Sequence, residues 1–84
     1  MSLNLLYFAR IRERLGLSEE RWDAATPATV ADLITALAAR GETWRETFDG
    51  SQPVMVAVNE QMASRETALR DGDTVALFPR VTGG

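Results

Sequence analysis

Between Leu3 and Phe8 the apolar positions alternate, with Leu3, Leu5 and Tyr7 on one face at the strand period of two and Leu6 and Phe8 on the other. Apolar residues on both sides predict a strand whose two faces are largely covered. The period then changes. From Arg10 to Leu15, Ile11 and Leu15 stand four apart and face inward while Arg10 and Arg14 face water at the same spacing, which predicts a short helix closed by Gly16. Leu17 to Ala24 is polar, and Arg21-Trp22-Asp23 within it predicts an edge strand with Trp22 toward the core. The strongest helical pattern follows Thr29, where Val30, Leu33, Ile34, Leu37 and Ala38 fall at i, i+3, i+4, i+7 and i+8 behind a Thr29…Asp32 capping start. This helix is expected to end near Arg40-Gly41. Trp44 and Phe48, four apart, predict a second short helical stretch that lids the core before the turn pair Asp49-Gly50.

Pro53 opens Val54 to Val58, whose three valines alternate with Met55 and Ala57 and whose β-branched content favours a strand. Asn59-Glu60 reads as a turn into a brief strand at Gln61-Met62, and Leu69 to Asp73 as a tight turn before a last strand, Thr74 to Phe78. Two strands, one main helix and three further strands suit an α+β, β-grasp arrangement: a mixed sheet with the helix packed across it. The first and last strands then run parallel at its centre. Residues 1–79 form that domain, and 80–84 form a tail.

With 84 residues there is room for one domain with one modest core. Net charge is -3 and no basic patch is large enough to neutralise a row of phosphates, so nucleic acid is not an expected partner. No apolar run approaches the ~20 residues that span a bilayer, and no secretory leader is visible, so no membrane is expected and the expected address is cytoplasmic. The inventory holds no cysteine and no histidine, which excludes thiolate nucleophiles, imidazole bases and the usual zinc ligands. All nine basic residues are arginine, so the fold offers no ε-amine to a Schiff base or an isopeptide bond. Asp71-Gly72-Asp73 supplies two carboxylates where a calcium loop spreads its oxygen ligands over about twelve residues. It reads as a turn, and neither a metal nor a bound cofactor is expected. Glu19-Glu20 and Asp23 read as a solvated acidic stretch, and Trp22, Trp44 and Phe48 as core or satellite aromatics.

Chemistry therefore concentrates at Gly83-Gly84, reached through Pro79-Arg80-Val81-Thr82. Glycine has no Cβ, so a narrow channel in a partner can admit such a tail. Fully extended, Arg80 to Gly84 reach roughly 16 Å at about 3.3 Å per residue. Pro79 lacks an amide proton and biases Phe78 to an extended backbone, which is expected to end sheet pairing and launch the tail outward. Phe78 and Val81 at that lip are either the last core residues or exposed anchors for a docking partner. Arg10, Arg12 and Arg14 either clamp an acidic surface of a partner or form a solvated face.

The front block Leu6-Tyr7-Phe8-Ala9-Arg10-Ile11-Arg12-Glu13, Val58-Asn59 in the middle, and Leu69 to Pro79 running into Val81-Thr82-Gly83-Gly84 closely resemble the sulfur-carrying small subunits of molybdopterin synthases. The likeness covers the whole length, and the terminal block is its most specific part. Relatives often carry a second proline where this chain has Arg80. The resemblance implies a β-grasp fold and a Gly84 carboxylate that an adenylating, ATP-using enzyme activates. A sulfur donor protein then converts it to a thiocarboxylate, and insertion into a large subunit delivers sulfur to cyclic pyranopterin monophosphate. It also implies a heterotetramer. Residue by residue, Gly84 matches the thiocarboxylated position, Gly83 the narrow penultimate glycine and Thr82 the tail before it. Phe78 and Val81, with Pro79 and Arg80, match the partner-binding lip, and Arg12 matches an arginine near the activating enzyme. The open alternatives are a carrier for thiamine or tRNA thiolation, and a ubiquitin-like protein modifier or interaction module.

Overall fold

The computed structural model describes residues 2–49 and 53–80. In chain order its elements are β1 (Leu3–Tyr7), α1 (Ala9–Leu15), β2 (Glu19–Trp22), α2 (Val30–Ala38), α3 (Glu42–Asp49), β3 (Val54–Val58), β4 (Gln61–Met62) and β5 (Thr74–Pro79). The sheet order is β2-β1-β5-β3-β4. β1 and β5 pair in parallel, from Asn4↔Thr74 to Tyr7↔Leu77, and the other pairs are antiparallel. This is the expected β-grasp sheet, with the first and last strands joined at its centre.

Local chemistry sets the turns between these elements. The parallel ladder runs on until the Phe8 amide donates to the Leu77 carbonyl, and Ala9 then takes a left-handed φ of 53° that throws the chain into α1. Gly16, at φ 66°, closes α1 with its amide on the Arg12 carbonyl. The Thr29 hydroxyl accepts the Asp32 amide at 3.3 Å and so caps α2 as its sequence predicts. Asn59 and Glu60 both have positive φ, which matches a two-residue hairpin whose twist suits the flanking strands. The Asn59 side chain then clips this hairpin to β5, accepting from the Thr74 amide and donating to Asp73. Asp71 to Asp73 form a turn, as expected. The Asp73 carboxylate accepts the Arg70 amide, the Asp71 carboxylate accepts the Ser2 amide, and Gly72 sits at φ 90°.

Leu3, Leu5, Tyr7, Val54, Val56, Val75 and Leu77 project from one side of the sheet onto Val30, Leu33, Ile34 and Leu37 of α2 and Phe48 of α3. The opposite side of β1 is not covered, which corrects the expectation of a strand buried on two faces. Leu6 is half-buried and Phe8 is 45% exposed. The parallel pairing puts β1 in the interior of the sheet, and that protects its edges; covering its second face would need a second layer. None is present among the described residues.

A polar clasp closes the other end of this core. The Tyr7 hydroxyl donates to Glu20 at 2.7 Å, and the Arg40 guanidinium grips both oxygens of the same carboxylate at 2.7 Å. That guanidinium also lies over the rings of Trp22 and Trp44, at 5.3 and 4.6 Å from their centroids. Glu20 is thus a structural anion, where its sequence suggests a solvated one; Arg40, twenty residues on, gives no local signal of the pairing. Burial alone would raise the Glu20 carboxyl, but the hydrogen bonds from Arg40 and Tyr7 outweigh it and hold it below the usual carboxylate value. Burial, reinforced by the neighbouring carboxylate, pushes the Tyr7 phenol far above its ordinary range.

A depressed folded-state value means that ionised Glu20 favours the native chain. This stability is complete above the ordinary carboxylate value of 4.5 and is lost as pH falls through the lowered one. Glu20→Gln is expected to lose about 1–2 kcal/mol at neutral pH, and less at acid pH where the wild-type carboxyl is itself protonated. Urea unfolding at the two pH values checks this. Equal losses at both would show that the charge of Glu20 contributes nothing.

Candidate functional site

Because Val75 and Leu77 point into the core, the alternation of β5 turns Ala76 and Phe78 to the uncovered side of the sheet. Register then builds two apolar rows there. One runs Leu6, Ala76, Ala57, Met62 across β1, β5, β3 and β4. The other, nearer the end where the tail leaves, pairs Phe78 with Met55, and Phe8 lies just beyond the Tyr7↔Leu77 pair. Phe8 and Met62, at 45% and 62% exposure, are the exposed large hydrophobics among the described residues, and both belong to this face. Single exposed apolar side chains are ordinary; a contiguous apolar face marks a place where another surface packs.

Of the residues expected at the site, Phe78 is half-buried on this open face and outside the core cluster. That favours the docking alternative over the core one. Pro79 does not end the pairing: it still stands opposite Val54, and the Arg80 amide donates to the Pro53 carbonyl at 3.4 Å. The missing N–H of Pro79 points toward β1, which has already turned away at Phe8, so the proline leaves no ladder bond unmade. Arg12 is exposed on α1, one helical turn after Phe8, whose carbonyl accepts its amide. Val81, Thr82, Gly83 and Gly84 lie outside the described residues.

The structure adds Leu6, Phe8, Met55, Ala57, Met62 and Ala76 to the site. Their signal was already in the chain: apolar residues on both sides of β1, β3 and β5, and one main helix, enough to cover a single side. Among the described residues no cluster of three or more His, Cys, Asp or Glu could hold a metal ion. Nor, among the described residues, is any helix long and apolar enough to cross a membrane. What the arrangement offers is an apolar platform that ends at Pro79 and Arg80, the residues that precede Val81-Thr82-Gly83-Gly84 in the chain.

Residues 5–84 match the model of the ThiS family. The chain belongs to that family. Among its relatives, the molybdopterin synthase sulfur carrier subunit of Escherichia coli K12 is 37% identical over 82 residues, covering 98% of this chain and 99% of its own. Small archaeal modifier protein 3 of Haloferax volcanii is 38% identical over 94 residues, with both chains covered completely. Among solved structures, Haloferax volcanii SAMP1 superposes with a TM-score of 0.78 at 31% identity over 100% of both chains. The complex of subunits 1 and 2 of the molybdopterin-converting factor from Helicobacter pylori contains a chain that matches with a TM-score of 0.65 at 26% identity, again over 100% of both.

Proposed function

We propose that this ThiS-family chain is the sulfur carrier of a molybdopterin synthase and that its reactive group is the Gly84 carboxylate. A carboxylate is a poor electrophile. An adenylating enzyme therefore joins it to the AMP portion of ATP with release of pyrophosphate, and a sulfur donor protein displaces AMP to leave a thiocarboxylate. The tail then enters the large subunit, where the thiocarboxylate sulfur adds to cyclic pyranopterin monophosphate and water cleaves the acyl–sulfur bond, returning Gly84 to a carboxylate. Two such transfers build the dithiolene. The acid, base and phosphate-binding groups belong to the large subunit, consistent with a chain that has no histidine, cysteine or lysine. Two small subunits, one at each end of a large-subunit dimer, complete the assembly.

The observation that carries this reading is the open apolar face running from Met62 to Phe78 and ending at the tail, on a chain alike over its whole length to sulfur carriers. The related Helicobacter pylori protein forms a complex with its second subunit, which supports a large subunit as the occupant of that face. The likeness to the Haloferax volcanii modifier favours a second reading, attachment of the terminus to amines on other proteins. Intact-mass measurement of the protein from its own host separates the two. Exchange of one oxygen for sulfur at the terminus is expected; isopeptide-linked adducts without that exchange would establish the second reading instead.

A further inference from the structure

Four arginines surround the start of β3, where the tail leaves the body. Arg10 and Arg14 stand one turn apart on α1 and line a groove with Val54. Arg65 donates from its guanidinium to the Val54 carbonyl at 3.2 Å, and Arg80, bonded through its amide to Pro53, is the residue from which the tail continues. All four are exposed and none forms an ion pair among the described residues. The one carboxylate in the groove is Glu46. On a chain of net charge -3, this is a basic pole on an otherwise acidic body.

We infer that Arg10, Arg14, Arg65 and Arg80 form a cationic pole that docks on a carboxylate-lined rim around the large subunit's tail pocket. The inference rests on the proposed function. A partner that swallows the tail must cover the residues around its root, and covering unpaired guanidinium groups is strongly unfavourable unless the partner brings opposite charges to them. The complement is the rim and not the phosphate-bearing substrate. At full extension the tail carries its tip more than about 10 Å past Arg80, beyond the ~8 Å over which exposed charges act at physiological salt. The pole also orients the approach: its field presents the tail end first, while the acidic remainder is turned away.

The test is stopped-flow association of the full chain with the large subunit from the same source, at low and high sodium chloride. Wild-type association is expected to slow about tenfold or more between them. The Arg10→Glu, Arg14→Glu double variant is expected to bind about tenfold more slowly at low salt, with most of the salt dependence gone. Arg10→Gln, Arg14→Gln should move both readings part of the way, which covers the case of a charge-reversed chain that folds poorly. Arg70→Glu, in the turn at the far end of β5, should match wild type. Identical rates and salt slopes for wild type and both double variants would overturn the inference while leaving the function standing. Absence of any binding by wild type would overturn both.

Discussion

Deleting Gly84 is expected to abolish sulfur transfer while leaving the fold and its thermal stability nearly unchanged. The shortened chain still ends in a glycine carboxylate, so the loss would be one of reach. Removing one residue withdraws the reacting carbon by about 3.3 Å, and a displacement of even about 1 Å from near-attack geometry can cost a hundredfold in rate. Stability should be spared because, among the described residues, the last member of the buried core along the chain is Leu77. A tag added after Gly84 should be equally inactive for a different reason: it converts the carboxylate to an amide. Molybdopterin formation with the large subunit, beside a thermal melt, measures both halves. Substantial activity from the truncated chain would refute the assignment of Gly84.

Phe78→Ala is expected to weaken binding to the large subunit by more than about 1 kcal/mol, and Phe8→Ala to act in the same direction. Both rings stand in the apolar row next to the tail's root, and Phe8 is nearly half exposed in the isolated chain. The two variants separate docking from packing. Phe8 lies outside the buried core cluster, so its loss should leave the melting temperature close to wild type, whereas half-buried Phe78 also rests on its own sheet. Calorimetry reads the affinity, and unchanged affinity in both would mean that the partner docks elsewhere.

Much of the architecture was legible in the chain because the relevant signals are local. The period-two valines of β3, the Thr29 cap and i, i+3, i+4 pattern of α2, and the turn at Asp71-Gly72-Asp73 each need only a few neighbouring residues to be read. What was missed depends on contacts distant in sequence. Glu20 looks solvated until Arg40 arrives from the end of α2 with Trp22 and Trp44 stacked about it. Phe8 looks buried because alternation says only that it lies opposite Tyr7, and nothing in the alternation says whether a layer covers that side. At the candidate site, Phe78 and the tail stood out through Pro79 and the terminal glycines. The wider platform from Leu6 to Met62 emerged only once register aligned four strands.

The central parallel pair couples synthesis to readiness. β1 leaves a ribosome well before β5, and Asn4 to Tyr7 have no parallel neighbour until Thr74 to Leu77 arrive. Closing so long a loop is entropically unfavourable and is rewarded only at the end. A nascent chain interrupted before β5 would thus keep the middle of its sheet unzipped and sticky, a target for proteolytic clearance. Only a chain translated past β5 can close its central pair and present a folded platform.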